Sequence, residues 1–463
     1  MLKLYNTKHR RKEEFEPLHE GEVYIYSCGP TVYDFPHIGN LRTFVFADIV
    51  ARYFKRRGID VHNVMNITDV DDKTIRGSNE EGVSLGEYTQ KYTDYFMEDL
   101  DTLRVQPAWE YPRATEHIDQ MLKVVEGLVE KGHAYEHEGS VYFDISSYPN
   151  YGKLSGVVPE EQETREFGRL DQDEYELDDA RDFVLWKASK EDEPSWDSPW
   201  GPGRPGWHIE CTAMSIEYLG NTIDMHLGGV DLIFPHHENE VAQSEAYTGQ
   251  QFVRHWVHPE HLIVEGEKMS KSKGNFHTLR DLLERGYDAI AIRHLLMSAH
   301  YRRQLNFTLE GLDQSQQALS RLWDFADRVA EIPDDASGEG LEDEVAAALK
   351  KFNEELDDDL NVPGAMAAVF ELMREVNPLL TEAKVGADGA RRVLDFLADV
   401  DTVLGIIEHD KGSVDEEIEA LMAERAQARE EKNWARSDEI RDELLAQGIV
   451  IEDTPQGPRW RRE

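Results

Sequence analysis

Cysteine is scarce in this chain, whose 463 residues include only Cys28 and Cys211. Two cysteines in so long a chain exclude a disulfide-stabilised scaffold. Apolar runs are short as well, and none approaches the roughly 18 residues that a membrane-spanning helix needs. The N-terminus carries basic residues with no apolar segment after them, which argues against a secretion signal. We therefore expect a cytoplasmic protein with no membrane partner.

Basic residues are outnumbered, since 50 Lys and Arg face 93 Asp and Glu, a formal charge of −43. The acids are dispersed along the chain, although residues 160–182 alone carry 11 acids against 3 basic residues. A hydrophobic content of 40% excludes a disordered acidic tail. At about 1 M salt the Debye length falls to about 3 Å, so that self-repulsion is screened. The dispersion therefore favours a solvated surface suited to the salty cytoplasm of a halophile over an acidic interaction protein.

The order of strand and helix signals predicts an interrupted α/β domain. Residues 23–28 and 61–65 read as strands, and an apolar stripe from about 41 to 57 predicts the helix between them. Strand, helix and strand make a right-handed unit of a parallel sheet. Similar signals resume over 206–257 after a mixed acidic insertion, and long helical patterns follow from about 311. The length itself predicts about three domains.

The first candidate for chemistry is the turn that separates the first predicted strand from the helix, where α/β sheets place their ligands. Gly39 would let a ligand approach the backbone, and the helix start offers free N–H groups to phosphate. His37 lies at the same turn. It is either a ligand-binding side chain or a turn histidine whose hydrogen bonds are satisfied locally.

The second candidate is a Ser/Gly-rich stretch that carries Lys268, Lys271 and Lys273. Such a loop can follow negative charge as it develops on a triphosphate, whereas most Lys/Ser runs are simply exposed loops. Residues 251–303 hold 9 basic and 6 acidic side chains, a net charge of +3 in a chain at −43. This local positive charge favours phosphate binding.

The third candidate is a metal site. Zinc binds Cys sulfur, His nitrogen and carboxylate oxygen in tetrahedral sites. A helix starting after Pro235 would place His236 and Glu240 on one face, with His237 and Glu238 pointing elsewhere. Together with the two cysteines they give the predicted zinc ligands: Cys28, Cys211, His236 and Glu240. The alternative is that each cysteine is a small buried hydrophobe. The pairing of both cysteines with unusual neighbouring motifs favours zinc.

Two of these stretches, HIGN at 37–40 and KMSKS at 268–272, resemble the nucleotide motifs of class I aminoacyl-tRNA synthetases. Further stretches resemble the cysteinyl-tRNA synthetase family, and they are 66–73, 203–211, 234–240 and 357–361. The resemblance spans essentially the whole chain. One departure is Leu227, where the family usually has Gly.

The resemblance implies a Rossmann-like catalytic domain interrupted by an insertion, followed by a helical bundle and a small anticodon-binding domain. The expected boundaries are 1–134 and 206–257 for the two catalytic halves, 135–205 for the insertion, 258–310 for a stem-contact region with the KMSKS loop, 311–410 for the bundle and 411–463 for the C-terminal domain.

The resemblance also implies ATP-dependent ligation of L-cysteine to the 3′ end of tRNA(Cys) through a cysteinyl-adenylate. Its expected catalytic residues are His37, Lys268 and Lys271, which stabilise charge on the phosphates, with Mg²⁺ accompanying ATP. The ATP-binding residues would be His37, Gly39, Asn40, Gly228, Gly229 and Lys271. The amino-acid pocket would be lined by Gly29, Thr31, Thr68 and Trp207. One zinc ion per chain would select the substrate thiol.

Transfer RNA attracts basic side chains. We therefore expect its acceptor stem near 268–303 and its anticodon loop near 459–462, where Trp460 could stack on a base. Two other functions stay open, a cysteine ligase that acts on an amino sugar, as in mycothiol synthesis, and a noncatalytic zinc-containing RNA-binding protein. The long C-terminal segment, 311–463, argues against the amino-sugar ligase and favours tRNA charging. We expect a monomer rather than a homo-oligomer.

Overall fold

The structure is a computed structural model that describes residues 2–157, 182–190, 193–270, 273–409, 413–446, 449–454 and 457–462. The chain divides into two compact units. The first unit consists of Met1–Leu312 and Lys350–Ala367, and the second consists of Asp313–Leu349 and Ala368–Glu463. Among the described residues, no helix has both the length and the apolar content needed to cross a membrane.

The strands and helices follow one another in the order β1 (Lys3–Asn6), β2 (Arg11–Glu14), β3 (Glu22–Ser27), α1 (Ile38–Arg56), β4 (Asp60–Met65), α2 (Asp72–Glu81), α3 (Leu85–Thr102), α4 (Ile118–Glu130), β5 (Ala134–His137), β6 (Ser140–Phe143), β7 (Phe183–Ala188), β8 (Gly203–Pro205), α5 (Trp207–Leu219), β9 (Ile223–Leu227), α6 (Glu238–Thr248), β10 (Val253–Val257), β11 (Leu262–Val264), β12 (Glu267–Lys268), α7 (Leu279–Glu284), α8 (Ala289–Met297), β13 (Leu305–Phe307), α9 (Leu309–Ala330), α10 (Glu342–Asp357), α11 (Val362–Thr381), α12 (Ala387–Leu404), α13 (Ser413–Glu430), α14 (Trp434–Ala446), β14 (Ile449–Thr454) and β15 (Gly457–Arg462).

The first unit contains a four-stranded parallel sheet in the order β10-β9-β3-β4. Helix α1 connects β3 to β4 and buries the predicted apolar stripe, which includes Phe44, Ile49 and Phe54. Burying that stripe on the sheet is what stabilises a helix of this kind, because helix propensity alone contributes little. The predicted strand–helix–strand unit and the α/β fold class are confirmed.

The register of the sheet brings three strand ends level with one another. Ser27 pairs with Met65 of β4 and with Leu227 of β9. The residues that follow these strands therefore lie at one edge of the sheet, where parallel sheets bind ligands. Cys28, Asn66 and Gly228 are the residues that come directly after the three strands.

Residues between α4 and α5 form an antiparallel sheet in the order β5-β6-β7-β8. Phe143 of β6 and Trp186 of β7 belong to the same buried apolar cluster as Val125 of α4 and Met214 of α5. The insertion thus shares its core with the parallel-sheet region. Its acid-rich stretch, 160–182, lies outside the described residues except for Asp182.

The second unit is mainly helical and ends in a small α/β element. Helices α13 and α14 pack Ile418, Met422, Ile440 and Leu444 around Ile449 of β14. Strand β15 pairs antiparallel with β14 from Gly457 to Arg462. The backbone of 459–462 is therefore paired in a hairpin.

Candidate active site and metal cluster

Four side chains that are distant in sequence meet at the carboxyl edge of the parallel sheet. Cys28 follows β3, and Cys211 lies in the second turn of α5. His236 lies in a short π-helical turn before α6, and Glu240 lies in the first turn of α6. All four are buried, and their ligand atoms lie within 4.8 Å of one another. The structure thus brings together all four residues that the sequence predicted as zinc ligands.

The distances suit a common ion. The two Sγ atoms are 4.0 Å apart, Cys28 Sγ is 3.8 Å from Glu240 Oε1, and His236 Nε2 is 3.1 Å from the same oxygen. Zn–S bonds of about 2.3 Å and Zn–N bonds of about 2.0 Å give tetrahedral edges of about 3.3–3.8 Å. Two sulfurs, one imidazole and one carboxylate are also donor types that zinc accepts. The residues therefore fit a tetrahedral zinc ion.

The prediction for His237 was wrong. Its Nε2 lies 3.2 Å from Cys28 Sγ and 3.9 Å from Glu240 Oε1, so it faces the cluster. The reason is local, because residues Ile233–His237 form a π-helical turn in which Phe234 has extended backbone angles of φ −139° and ψ 131°. The regular spacing of an α-helix does not apply across such a turn. Glu238 does point elsewhere, since its carboxylate accepts from the Gly152 and Ser155 amides.

His226 also belongs to the cluster, and the sequence analysis did not single it out. Its Nε2 is 3.0 Å from Glu240 Oε2. It lies one residue before the end of β9, at the strand end that faces Cys28. The strand and helix signals over 206–257 did not place the end of β9, so the sequence did not single out His226.

Opposite charges within the cluster outweigh the effect of burial on the pKa values of Glu240 and His236. Burial raises the pKa of Glu240, but the neighbouring His226 and His236 outweigh it and lower that pKa to about 2. Burial lowers the pKa of His236, but Glu240 and Cys211 raise it to about 10. The hydrogen bond with Cys28 lowers the pKa of Cys211 to about 6, while burial raises that of Cys28. An anionic carboxylate and a thiolate are thus available to a cation.

The predicted amino-acid pocket lies next to Cys28. Thr31 and Thr68 pair through their backbones, because the Val32 amide donates to the Thr68 carbonyl over 3.1 Å. The Gly29 amide donates to Asn66 Oδ1 over 2.9 Å, and a Cβ at Gly29 would lie 1.7 Å from the Asn66 carbonyl oxygen. Only glycine fits this approach of two backbones.

Trp207 opens helix α5 at the rim of the same region. Its ring centroid lies 4.2 Å from that of His236, and 38% of its surface is exposed. Trp207 therefore contacts the cluster through His236 and is partly exposed to solvent, and its role in an amino-acid pocket stays a prediction.

Glu210 is a buried acidic residue that was not among the site residues predicted from the sequence. It is buried beside Cys211, and Thr68 Oγ1 donates to its Oε2 over 2.7 Å. Burial raises the pKa of this carboxyl well above its usual range. Its position within the Trp-His-Ile-Glu-Cys run gave no signal that separated it from a surface acid.

The HIGN motif lies against the described part of the KMSKS motif and the residues that follow it. His37 caps α1, since its Nδ1 accepts from the Asn40 amide over 3.1 Å, and the Asn40 side chain accepts from the His37 amide. The backbone of His37 also pairs with Thr278, and its ring contacts Phe276, both directly after the lysine-rich loop.

Gly39 allows this contact. A Cβ there would lie 2.9 Å from the His37 ring and 3.3 Å from Met269 Cε of the loop. Lys268 ends β12 and is exposed, and its carbonyl accepts from the Asn275 side chain. Lys271 and Ser272 lie outside the described residues.

The glycines after β9 leave room for neighbouring side chains. A Cβ at Gly228 would lie 2.5 Å from His237 Cε1, and one at Gly229 would lie 2.4 Å from Asp231 Oδ1. Leu227, the departure from the family pattern, is buried within β9, and its carbonyl accepts from the Cys28 amide over 3.0 Å. The larger side chain therefore packs into the core.

Comparison with known families covers nearly the whole chain. The tRNA synthetases class I (C) catalytic domain matches residues 14–317, the DALR domain matches 351–408, and the cysteinyl-tRNA ligase anticodon binding domain matches 411–461. The chain belongs to the cysteine–tRNA ligase family. Family members include a cysteine–tRNA ligase of Brachyspira hyodysenteriae, 48% identical, which aligns over 99% of both chains. Another, from Protochlamydia amoebophila, is 46% identical over all of this chain and 98% of its own length.

Solved structures share the fold at low sequence identity. Mycobacterium tuberculosis methionyl-tRNA synthetase in complex with methionyl-adenylate aligns with a TM-score of 0.60 and 14% identity, covering 82% of this chain and 89% of its own. A ternary LeuRS–tRNA–LeuAMS complex from Agrobacterium radiobacter aligns with a TM-score of 0.61 and 12% identity over 85% of each chain. These similarities agree with the class I synthetase fold that the family membership gives.

Proposed function

We propose that the protein ligates L-cysteine to the 3′ end of tRNA(Cys) in two steps, using ATP. The observation that carries the proposal is the burial of Cys28, Cys211, His236 and Glu240 at the same sheet edge as the two adjoining nucleotide motifs. A site for a thiol beside a site for a triphosphate suits the activation of cysteine. The family relationship supports the same activity.

In the first step the cysteine carboxylate attacks the α-phosphorus of ATP, and the bond to pyrophosphate breaks to leave cysteinyl-adenylate. The carboxylate is already a nucleophile, so the chain supplies orientation and charge stabilisation rather than a nucleophile. His37, Lys268 and Lys271 stabilise the phosphate charge, with Mg²⁺ accompanying ATP. The capping hydrogen bond of His37 supports this role because it fixes the ring at the start of α1.

In the second step a hydroxyl of the terminal adenosine of the tRNA attacks the cysteinyl carbonyl carbon, the bond to the phosphate breaks, and the products are cysteinyl-tRNA ester and AMP. Basic residues in 268–303 face the acceptor stem, and the C-terminal domain that ends at 459–462 faces the anticodon. The match of 411–461 to an anticodon binding domain supports this division of the chain.

Selection against serine depends on sulfur. The two amino acids differ by one atom, and shape alone discriminates by about 1–3 kcal/mol. When bound, Zn²⁺ supplies affinity for a thiolate that a serine hydroxyl, with its higher pKa, does not match. Cys28, Cys211, His236 and Glu240, all buried, would hold the ion.

The pocket residues orient the remainder of the amino acid. Gly29 follows Cys28 directly, and Thr31 and Thr68 pair through their backbones. The partly exposed Trp207 lies against His236. The ATP-binding residues Gly39, Asn40, Gly228 and Gly229 lie at strand and helix ends on the same edge. Each of these assignments rests on position together with the family pattern.

The dispersed excess of acidic residues supports a halophilic origin. We also propose a cytoplasmic location and a monomer. We expect the thermal midpoint of unfolding to rise with KCl between about 0.1 and 2 M, because screening reduces self-repulsion. An unchanged or falling midpoint would contradict the halophilic interpretation. Sedimentation in the same buffers tests the monomer.

The deciding experiment is amino-acid-dependent ATP–pyrophosphate exchange in high KCl, with cysteine and serine side by side. We expect exchange with cysteine, none above background with serine, and charging of a tRNA(Cys) transcript. A pure, zinc-loaded protein that shows no exchange with cysteine contradicts the proposal. Exchange without tRNA charging, but with ligation to an amino sugar, would favour the mycothiol-type alternative.

A further inference from the structure

A second set of ligand atoms overlaps the first. It consists of Cys28, His226, His237 and Glu240, all buried, with ligand atoms within 4.8 Å of one another. The two sets share Cys28 and Glu240. They differ in that His226 and His237 take the places of Cys211 and His236.

The distances within the second set are short enough for a shared ion, with Glu240 contacting His226 through Oε2 and lying near Cys28 and His237 through Oε1. Cys28 Sγ is 3.2 Å from His237 Nε2 and 3.8 Å from Glu240 Oε1. Glu240 Oε2 is 3.0 Å from His226 Nε2, and its Oε1 is 3.9 Å from His237 Nε2. They scatter around the tetrahedral edges of about 3.3–3.8 Å expected for zinc with sulfur and nitrogen ligands.

A hydrogen-bond chain prepares His237 to bind a cation. Its Nδ1 is 2.8 Å from His258 Nε2, and His258 Nδ1 is 2.7 Å from the Thr7 hydroxyl. If each ring donates outward along this chain, the lone pair of His237 Nε2 faces Cys28. Histidines that bind metals characteristically donate their other ring N–H in this way. The chain has no role in the first ligand set, which leaves His237 out.

We propose that the pocket offers zinc a second position, held by Cys28, His226, His237 and Glu240, which excludes the first because the two share ligands. This inference rests on the proposed function of the cluster as a zinc site. The first position is preferred because it has two sulfur ligands, and because His226 Nδ1 is buried with no hydrogen-bond partner in the described part of the chain. The second position keeps the ion in the pocket when Cys211 or His236 is lost as a ligand.

The test compares metal binding by the full-length protein and four variants: Cys211→Ser, His237→Leu, Cys211→Ser/His237→Leu, and Cys211→Ser/His255→Leu as the matched control. His255 is a buried histidine in β10 that belongs to neither ligand set. Each protein is stripped of metal, reloaded with zinc or cobalt, dialysed and assayed. The readouts are metal per chain and the thiolate-to-cobalt absorption band.

We expect one metal ion per chain in the wild type, in His237→Leu, in Cys211→Ser and in the His255 control. The cobalt band should fall by about half in Cys211→Ser, because one of the two thiolate ligands is gone. Cys211→Ser/His237→Leu should retain less than about a tenth of the ion after dialysis, because neither position then keeps four ligands.

Loss of the ion from Cys211→Ser alone overturns the second position. Equal retention in Cys211→Ser and in its double variant with His237→Leu overturns it as well. The same series built on His236→Gln gives an independent measurement, so that misfolding of one single variant, seen by circular dichroism, leaves the other series to decide. A wild type that binds no zinc would instead refute the proposed function of the cluster.

Discussion

Thr68 donates its hydroxyl hydrogen to the buried carboxyl group of Glu210, with 2.7 Å between Oγ1 and Oε2. The two residues come from different parts of the chain, one after β4 and one in the first turn of α5. The bond therefore ties the proposed cysteine pocket to the helix that carries Cys211.

Removing the Thr68 hydroxyl should weaken both the fold and cysteine binding. Thr68→Val leaves Glu210 without this partner, which should lower the free energy of unfolding by about 1–3 kcal/mol. We expect the KM for cysteine in pyrophosphate exchange to rise about tenfold, with the KM for ATP unchanged. Thr68→Ser keeps the hydroxyl and is the control. If Thr68→Ser is as impaired as Thr68→Val, the hydroxyl is not the determinant.

Replacing Cys211 should weaken the binding of cysteine more than the binding of ATP. In Cys211→Ser, cysteine binding should weaken at least about tenfold more than ATP binding, because one sulfur ligand of the thiol-selecting ion is lost. Isothermal titration with cysteine and with an ATP analogue measures both affinities. Equal losses for the two ligands would argue against direct recognition of the substrate thiol by the metal.

A methyl group at Gly29 should not be tolerated. Its Cβ would lie 1.7 Å from the Asn66 carbonyl oxygen, so the strand ends next to Cys28 must move apart. We expect Gly29→Ala to lower the free energy of unfolding by about 3 kcal/mol, the upper end of overpacking costs. Gly86→Ala is the matched control, because that helical glycine has open space around its Cβ position. The control should be neutral or stabilised by up to about 1 kcal/mol.

The buried pair of Asp48 and Arg293 should contribute strongly to stability. Oδ2 of Asp48 is 2.6 Å from Arg293 Nη2 and 2.8 Å from Arg52 Nε, and the side chains of Asp48 and Arg293 are fully buried. Asp48→Asn removes the buried carboxylate charge that contacts both arginines and should cost about 3–5 kcal/mol in chemical denaturation. Glu354→Gln breaks an exposed pair with Lys350 and should cost less than about 1 kcal/mol. Similar costs for both would contradict the argument from burial.

His294 should make stability depend on pH. Burial lowers its pKa in the folded protein to about 4. Between about pH 4 and 6.5 the unfolded chain therefore binds a proton that the folded chain does not, so stability rises with pH across this window and is fully present above it.

The measurement for His294 is the difference between wild type and His294→Gln in unfolding free energy as a function of pH. The wild type should gain up to about 3 kcal/mol more than the variant between pH 4 and 6.5. His261→Gln, at an exposed histidine, is the control. Parallel curves for wild type and His294→Gln would show that this histidine does not carry the effect.

The site divides into residues that sequence could find and residues that it could not. Cys28, Cys211 and His37 were predictable because each has a rare residue type or a motif at a strand or helix end. His237 was misjudged because the backbone leaves α-helical geometry at Phe234, which local spacing does not reveal. Glu210 and His226 were missed because their function depends on neighbours from other strands and helices. The roles of Lys268 and Lys271 stay predictions.

The sequence by itself determined the α/β class, the strand–helix–strand unit of β3, α1 and β4, and the four side chains that could hold zinc. These follow from residue type and periodicity, which are local properties of the chain. Only the tertiary structure decided that His226 and His237 also face the cluster and that Thr68 reaches Glu210. Such contacts arise when the register of the parallel sheet sets three strand ends level, and no local pattern encodes that register.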